Sequence, residues 1–313
     1  MSLPNHVSSG RGEQRRVRLM KSTFFNEPQR RLRTGWRLLT FVFIFGLFNA
    51  MASALRRFAF GSPPADSTAG TVLLGTLLLC TATGAVYLSR RFVDKKSFQS
   101  LGLRLERSSA TDFLFGFFLS GLMVSIMFLA LLSFGWLHLQ GVDWPDNPIS
   151  GWLQLLLLLV GVGVAVGWWE EIVFRGYILQ NLIDGIGPAW AIGLSCMFYG
   201  LIHQLNPNAT LLSTLVIASI GYLRIFGWLR TKQLWVSMGM HAGWNFLQGP
   251  VFGFSVSGRE TYTLLKHTIS GPNWMTGGDF GPEGGLAAAL VAVMGMVGVW
   301  VWTRNRTPRA DSA

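Results

Sequence analysis

The chain reads as long apolar runs separated by short polar connections. Eight runs can be marked, at about 36–55, 70–88, 112–138, 151–182, 186–205, 210–229, 234–254 and 285–302. A membrane-spanning helix needs about 20 mostly apolar residues at a rise of 1.5 Å each. All eight runs meet that length. The fourth, at roughly 32 residues, exceeds it and is expected to kink, tilt or project from the bilayer. Runs this long are not barrel strands, and backbone polar groups in hydrocarbon must be satisfied within the segment. The expected fold is therefore all-α, a polytopic membrane bundle of about eight transmembrane helices. It divides into a basic N-terminal arm (1–34), one transmembrane domain (35–303) with its motif core at 151–250, and a short tail (304–313).

Composition supports this class. Of 313 residues, 50% are hydrophobic and only 13% charged, about half the charge of an ordinary soluble domain. The two cysteines, Cys80 and Cys196, lie inside apolar runs, which excludes a disulfide framework. The net charge of +11 does not form a nucleic-acid surface, because it is spread over the arm and the connections. Arg11, Arg15, Arg16, Arg18, Lys21, Arg30, Arg31 and Arg33 fill the arm, and Arg90, Arg91, Lys95, Lys96, Arg104 and Arg107 fill the second connection. The alternate connections hold only Arg56, Arg57, Arg259 and Lys266. Lys and Arg collect on the cytoplasmic side of membrane proteins, so both termini are expected there. The connection at 255–284, polar and Gly-rich, is expected outside, as a loop or a lid.

Ionisable groups inside spans are costly and are functional candidates by default. Here they are few. The fourth run contains Glu170, Glu171 and Arg175, the fifth ends on His203, the seventh holds His241 and Asn245, and the sixth carries Arg224. At 3.6 residues per turn, Glu171 and Arg175 share one face in the favourable acid-first order. Glu170 points about 140° away from Arg175 and must find its partner on another helix. Glu170 is then the reactive candidate, with Glu171 and Arg175 as its support. Arg224 is expected to snorkel or to meet a carbonyl, and His203 has the alternative of capping its helix end.

The depths agree with convergence. Glu170 lies about 18 Å from the end of its run, and His203 about 22 Å from the same turn. His241 lies about 11 Å past Leu234, with Asn245 one turn further on the same face. Glu170, His203, His241 and Asn245 are expected to meet in the cytoplasmic half of the bundle. There Glu170 and His203 would deprotonate a water, while His241 and Asn245 would stabilise an oxyanion, giving peptide-bond hydrolysis at the membrane. No obligatory cofactor is required. The alternative is a zinc ion held by Glu170, His203 and His241, although the compact H-E-x-x-H signature is absent.

These residues resemble the CPBP family of intramembrane proteases, which includes the type II CAAX prenyl endopeptidases and relatives linked to bacteriocins. The family's E-E-x3-R motif is met by Glu170, Glu171 and Arg175. Its F-x3-H motif is met by His203, with Tyr199 where Phe is usual, and its H-x3-N motif by His241 and Asn245. The likeness covers 152–247. It implies an eight-helix bundle with a cytoplasm-facing site, in which Glu170, His203, His241 and Asn245 carry the chemistry of a glutamate-type or metal-dependent protease. The implied partners are the lipid bilayer and a membrane-associated or lipidated protein or peptide substrate. Two other functions remain at this point: a non-enzymatic immunity or scaffold protein, and a transporter. The lack of internal repeats speaks against the transporter.

Overall fold

A computed structural model of the chain describes residues 24–26, 31–61 and 67–306. The arm before residue 24 and the tail after 306 lie outside the described residues. The eight apolar runs become eight helical segments: α1 (Thr34–Phe60), α2 (Thr68–Leu88), α3 (Arg107–Ser133), α4 (Pro148–Ile186), α5 (Pro188–Ile202), α6 (Leu211–Thr231), α7 (Trp235–Phe246) and α8 (Leu286–Thr303). The protein is a helical, multi-pass membrane protein. Six of these segments are long and apolar enough to cross a bilayer by length and composition, among the described residues. The expectation that all eight reach that length is corrected at α5, which has 15 residues. It also fails at α7, which has 12 before its winding widens at Leu247–Val251 around Pro250.

Local chemistry sets the boundaries. The Ser67 hydroxyl accepts from the Gly70 N–H to start α2, and Glu106 with Ser109 forms a reciprocal cap on α3. Asn147 caps α4 and is followed by Pro148, while Thr210 and Ser213 cap α6. Such side chains satisfy N–H groups that a helix start leaves free. Gly187, at φ 81°, alone joins α4 to α5, and Pro188 opens α5. That turn makes the two helices antiparallel neighbours.

The overlong fourth run is one continuous segment, neither broken nor split. Its winding loosens to π-helix at Leu159–Ala165 and again at Glu171–Ile178, directly after Glu170. π-turns of this kind are common at functional sites, where they re-aim side chains without ending the helix.

Two short sheets flank the bundle. The antiparallel strands β1 (Phe25–Asn26) and β2 (Arg31–Leu32) precede α1. At the opposite end, β3 (Leu137–Val142) pairs antiparallel with β4 (Leu265–Ile269), with a bulge between Leu139 and Gly141. This corrects the third run, expected as helix to residue 138. The helix stops at Ser133, Gly135 turns the chain at φ 69°, and a strand follows. The 255–284 connection is likewise more than a loop: it supplies β4, then short helical turns at Asn273–Thr276, Gly278–Phe280 and Pro282–Gly284.

The bundle centres on α7, which is buried from Val236 to Asn245 and packs on α3, α4 and α6. Its closest approach is to α3. A Cβ on Gly239 would stand 2.0 Å from the Phe113 carbonyl oxygen, and one on Gly243 2.4 Å from that of Phe117. Two glycines four residues apart thus let the backbones touch, the device by which membrane helices associate without a hydrophobic driving force. Large apolar side chains such as Phe43, Phe118, Trp190 and Leu211 point outward, as a lipid-facing surface requires.

Candidate active site

Four helices bring the polar residues together. Glu171 is fully buried, and its Oε1 accepts from Arg175 Nη1 at 3.1 Å and from His241 Nδ1 at 2.9 Å. The i,i+4 pair expected from spacing is therefore formed. Arg175 also donates to the Gly221 carbonyl on α6 at 3.4 Å and lies over the Tyr199 ring, 4.0 Å from its centroid. Glu171 Oε2 is buried without a hydrogen-bond partner among the described residues. An acid held this way fixes its neighbours and is not free to react.

Glu170 takes the other direction and finds its partners on other helices, as its helical phase required. Its Oε2 accepts from the Tyr199 hydroxyl on α5 at 2.8 Å. That hydroxyl in turn accepts from Arg224 Nη1 on α6 at 2.6 Å. The expectation for Arg224 is overturned: it neither snorkels nor pairs with a carbonyl, but is buried at the end of an Arg224–Tyr199–Glu170 chain. Polarised chains of hydrogen bonds strengthen in a low-dielectric interior. The Tyr that stands where the family has Phe thus contributes a hydroxyl to the site as well as packing.

His241 sits between the two acids. Its Nδ1 is committed to Glu171, and its Nε2 faces Glu170 Oε2 at 3.7 Å, too long for a direct hydrogen bond. Helical spacing alone does not indicate that one imidazole straddles both carboxylates. His203 follows the last turn of α5, and its Nδ1 lies 2.7 Å from the Tyr199 carbonyl oxygen. A carbonyl only accepts, so Nδ1 carries a proton, and in the neutral ring Nε2 keeps its lone pair. The capping role and a role as base are therefore compatible in one ring. Asn245 is buried one turn beyond His241 and lines the same space.

That space is a cavity of about 530 Å³ lined by Glu170, Tyr199, His203, Arg224, His241 and Asn245. The four residues expected to converge do so. One wall is apolar, from Leu74 and Leu78 of α2 and Val162 and Val166 of α4; the other is polar, from the 256–261 segment and Glu283. Glu283 accepts from Trp244 Nε1 at 2.9 Å and from the Ser257 hydroxyl, pinning the 256–261 segment to α7. Nothing in a Gly-rich connection marked Glu283, whereas Arg224 stood inside a span and could have been flagged on that ground alone.

The position of the cavity departs from expectation. It runs from mid-bundle toward the end that carries Asn206, Pro207 and the 256–261 segment, away from the Arg- and Lys-rich connections. The site is not in the half of the bundle next to the α4–α5 turn. The depths of about 18 and 22 Å already exceed half of a hydrocarbon core of about 30 Å.

A zinc set of Glu170, His203 and His241 is not assembled by this geometry. Among the described residues no three His, Cys, Asp or Glu side chains come together as metal ligands.

The fold and site define a polytopic membrane protein with an acid-and-imidazole cavity enclosed by its helices. Residues 150–247 match the family model described as type II CAAX prenyl endopeptidase Rce1-like. The chain thus carries an Rce1-like domain, which supports a CPBP-family intramembrane protease, as the three motifs implied. It is also 26% identical over 245 residues to a probable arabinosyltransferase C of Mycolicibacterium smegmatis, covering 77% of this chain and 20% of that protein. The chain spans about a fifth of the length of that relative, and the relative's named activity is not carried across.

Proposed function

We propose that the protein is an intramembrane endopeptidase that hydrolyses a peptide bond in a membrane-associated or lipidated polypeptide, with Glu170 as general base. The observation that carries this reading is the contrast between adjacent acids. Glu171 is bound on one oxygen by a guanidinium and an imidazole and is sealed from the cavity, while Glu170 lines it. The Glu170 carboxylate takes a proton from a water that the lone pair of His203 Nε2 helps to hold. The water oxygen bonds to the substrate carbonyl carbon, and the carbonyl pair becomes an oxyanion. Asn245 donates its amide N–H to that oxyanion. In this reading His241 starts neutral, with its proton on Nδ1 toward Glu171. Once Glu170 Oε2 and His241 Nε2, 3.7 Å apart here, close to hydrogen-bond distance, the proton taken from water passes to Nε2 and His241 becomes a second donor. The proton then goes to the amide nitrogen as the C–N bond breaks, and Glu170 is restored as carboxylate.

The test is Glu170→Gln in purified protein, assayed on membrane-anchored peptide libraries beside the wild type. Loss of a general base typically costs about 10²- to 10⁴-fold, and a loss of that size is expected with the thermal transition retained. Cleavage at the wild-type rate refutes the role of Glu170.

A further inference from the structure

We infer that the catalytic cavity opens on the extracytoplasmic face, so that its substrate is the extracytoplasmic flank of a membrane-anchored polypeptide. The proposal rests on the peptidase reading for the word substrate, and on the bundle's geometry for the side. Among the described residues the cavity end holds Gly61 after α1, the β3–β4 sheet, the α5–α6 connection and the 255–284 segment. Its cations, among the described residues, are Arg56, Arg57, Arg259 and Lys266. The opposite end holds Arg90, Arg91, Lys95, Lys96, Arg104 and Arg107 in a single connection, with further cations beside α1, α6 and α8. Positive charge in short connections fixes the cytoplasmic side. The asymmetry therefore places the closed, cation-rich end in the cytoplasm and the cavity mouth outside.

The lining fits a chain that is half in lipid. Leu74, Leu78, Val162 and Val166 offer an apolar wall at membrane depth, and Ser257, Arg259, Glu260 and Thr261 offer polar groups at the mouth. The helices α2 and α5 both line the cavity, yet they form no extended packing contact with one another. An anchored polypeptide can thus rest its apolar end on α2 and α4 and place its polar flank beneath the 256–261 segment.

The experiment reads the side without needing activity. In a background with Cys80 and Cys196 replaced by Ser, single cysteines are placed at the cavity mouth (Glu260→Cys) and in the second connection (Gln99→Cys). Both positions are exposed. Intact cells are treated with a sulfonated, membrane-impermeant maleimide, with and without permeabilisation. The expected result is labelling of the Glu260→Cys protein in intact cells, and of the Gln99→Cys protein only after permeabilisation. The reverse pattern, or equal labelling of both in intact cells, overturns the proposal. A second arm uses single-span reporters carrying the same randomised peptide on the outer or the inner flank. Preferential cleavage of outer-flank reporters is expected, and cleavage of inner-flank reporters alone overturns the substrate assignment. If labelling follows the expected pattern while neither reporter set is cut, the side stands and the peptidase reading fails.

Discussion

The two ends of the bundle are built by different means. At the cation-rich end, Asp94 is buried and accepts from Arg90 at 3.0 Å, Tyr177 at 3.2 Å and Asn181 at 3.1 Å, with Arg37 at 3.6 Å. Asp184 takes Arg31 at 3.0 Å and Lys96 at 3.3 Å, and Arg306 grips Asp112 at 2.7 Å. The charges around Asp94 and Asp184 tie α1, α2 and α4 into one clamp, and the separate Asp112–Arg306 pair ties α3 to the chain after α8. The cavity end has a two-stranded sheet, short helical turns and one buried acid, Glu283, that holds the segment over the cavity. Rigidity concentrated at one end leaves the other free to admit a chain, and precise placement of Glu170 is inherited from helices anchored at their far ends.

Breaking the clamp gives the largest expected effect on stability. Asp94→Ala leaves the guanidiniums of Arg37 and Arg90 without their shared acid. Removing one partner of a buried ion pair costs about 3–5 kcal/mol. The thermal transition in detergent should fall accordingly, while the catalytic rate per folded molecule stays near wild type. An unchanged transition removes the clamp from the account, and a rate loss with unchanged stability places Asp94 in the chemistry instead.

The next effect sharpens what the open end does. Tyr199→Phe keeps the ring over which Arg175 lies but deletes the hydroxyl between Arg224 and Glu170. Hydrogen bonds to charged groups are worth about 1.5–3 kcal/mol, so kcat should drop about ten- to a hundredfold, with KM nearly constant. The Arg224→Met variant should lose a similar amount, and the double variant little more, because both act through one chain. Additive losses would show that the two residues act separately.

The comparison also explains what could be read from the chain. Glu171 and Arg175 were legible because i,i+4 geometry is local, and Glu170 was marked by the same arithmetic as the acid without a neighbour. His203 and His241 were marked because imidazoles are rare inside spans. The Tyr199 hydroxyl, the buried role of Arg224 and the place of His241 between two acids depend on the packing of four helices, which no local period encodes. Spacing also puts the site in the wrong half of the bundle: it assigns depths of about 18 and 22 Å to the cytoplasmic half, although they pass the middle of a hydrocarbon core of about 30 Å. The α5 and α7 segments misled for a simpler reason. Apolar composition continues past a helix end, and Leu205 and Phe254 belong to the connections.

A milder change tests whether the open end is held as loosely as its construction implies. Glu283→Ala leaves the Trp244 N–H and the Ser257 hydroxyl without their acceptor. An unsatisfied buried donor costs about 1–3 kcal/mol, here confined to the segment over the cavity. Limited proteolysis at 256–261 should quicken and KM rise several-fold, with the global transition nearly fixed. A large fall in the global transition would mean that the cap belongs to the core.

The smallest effect is expected at the surface of that same end. Lys266 and Asp143 pair at 3.3 Å, but their side chains are 48% and 50% exposed, where an ion pair is worth about 0–1 kcal/mol. Lys266→Ala should move the thermal transition barely, in contrast to the same kind of change at Asp94. It also removes one of the few cations at the cavity mouth, so it widens the charge difference between the two ends and must leave the orientation as it was. A Lys266→Ala protein whose Glu260→Cys label moved to the protected side would show that this one charge, rather than the summed asymmetry of the connections, holds the molecule in its membrane.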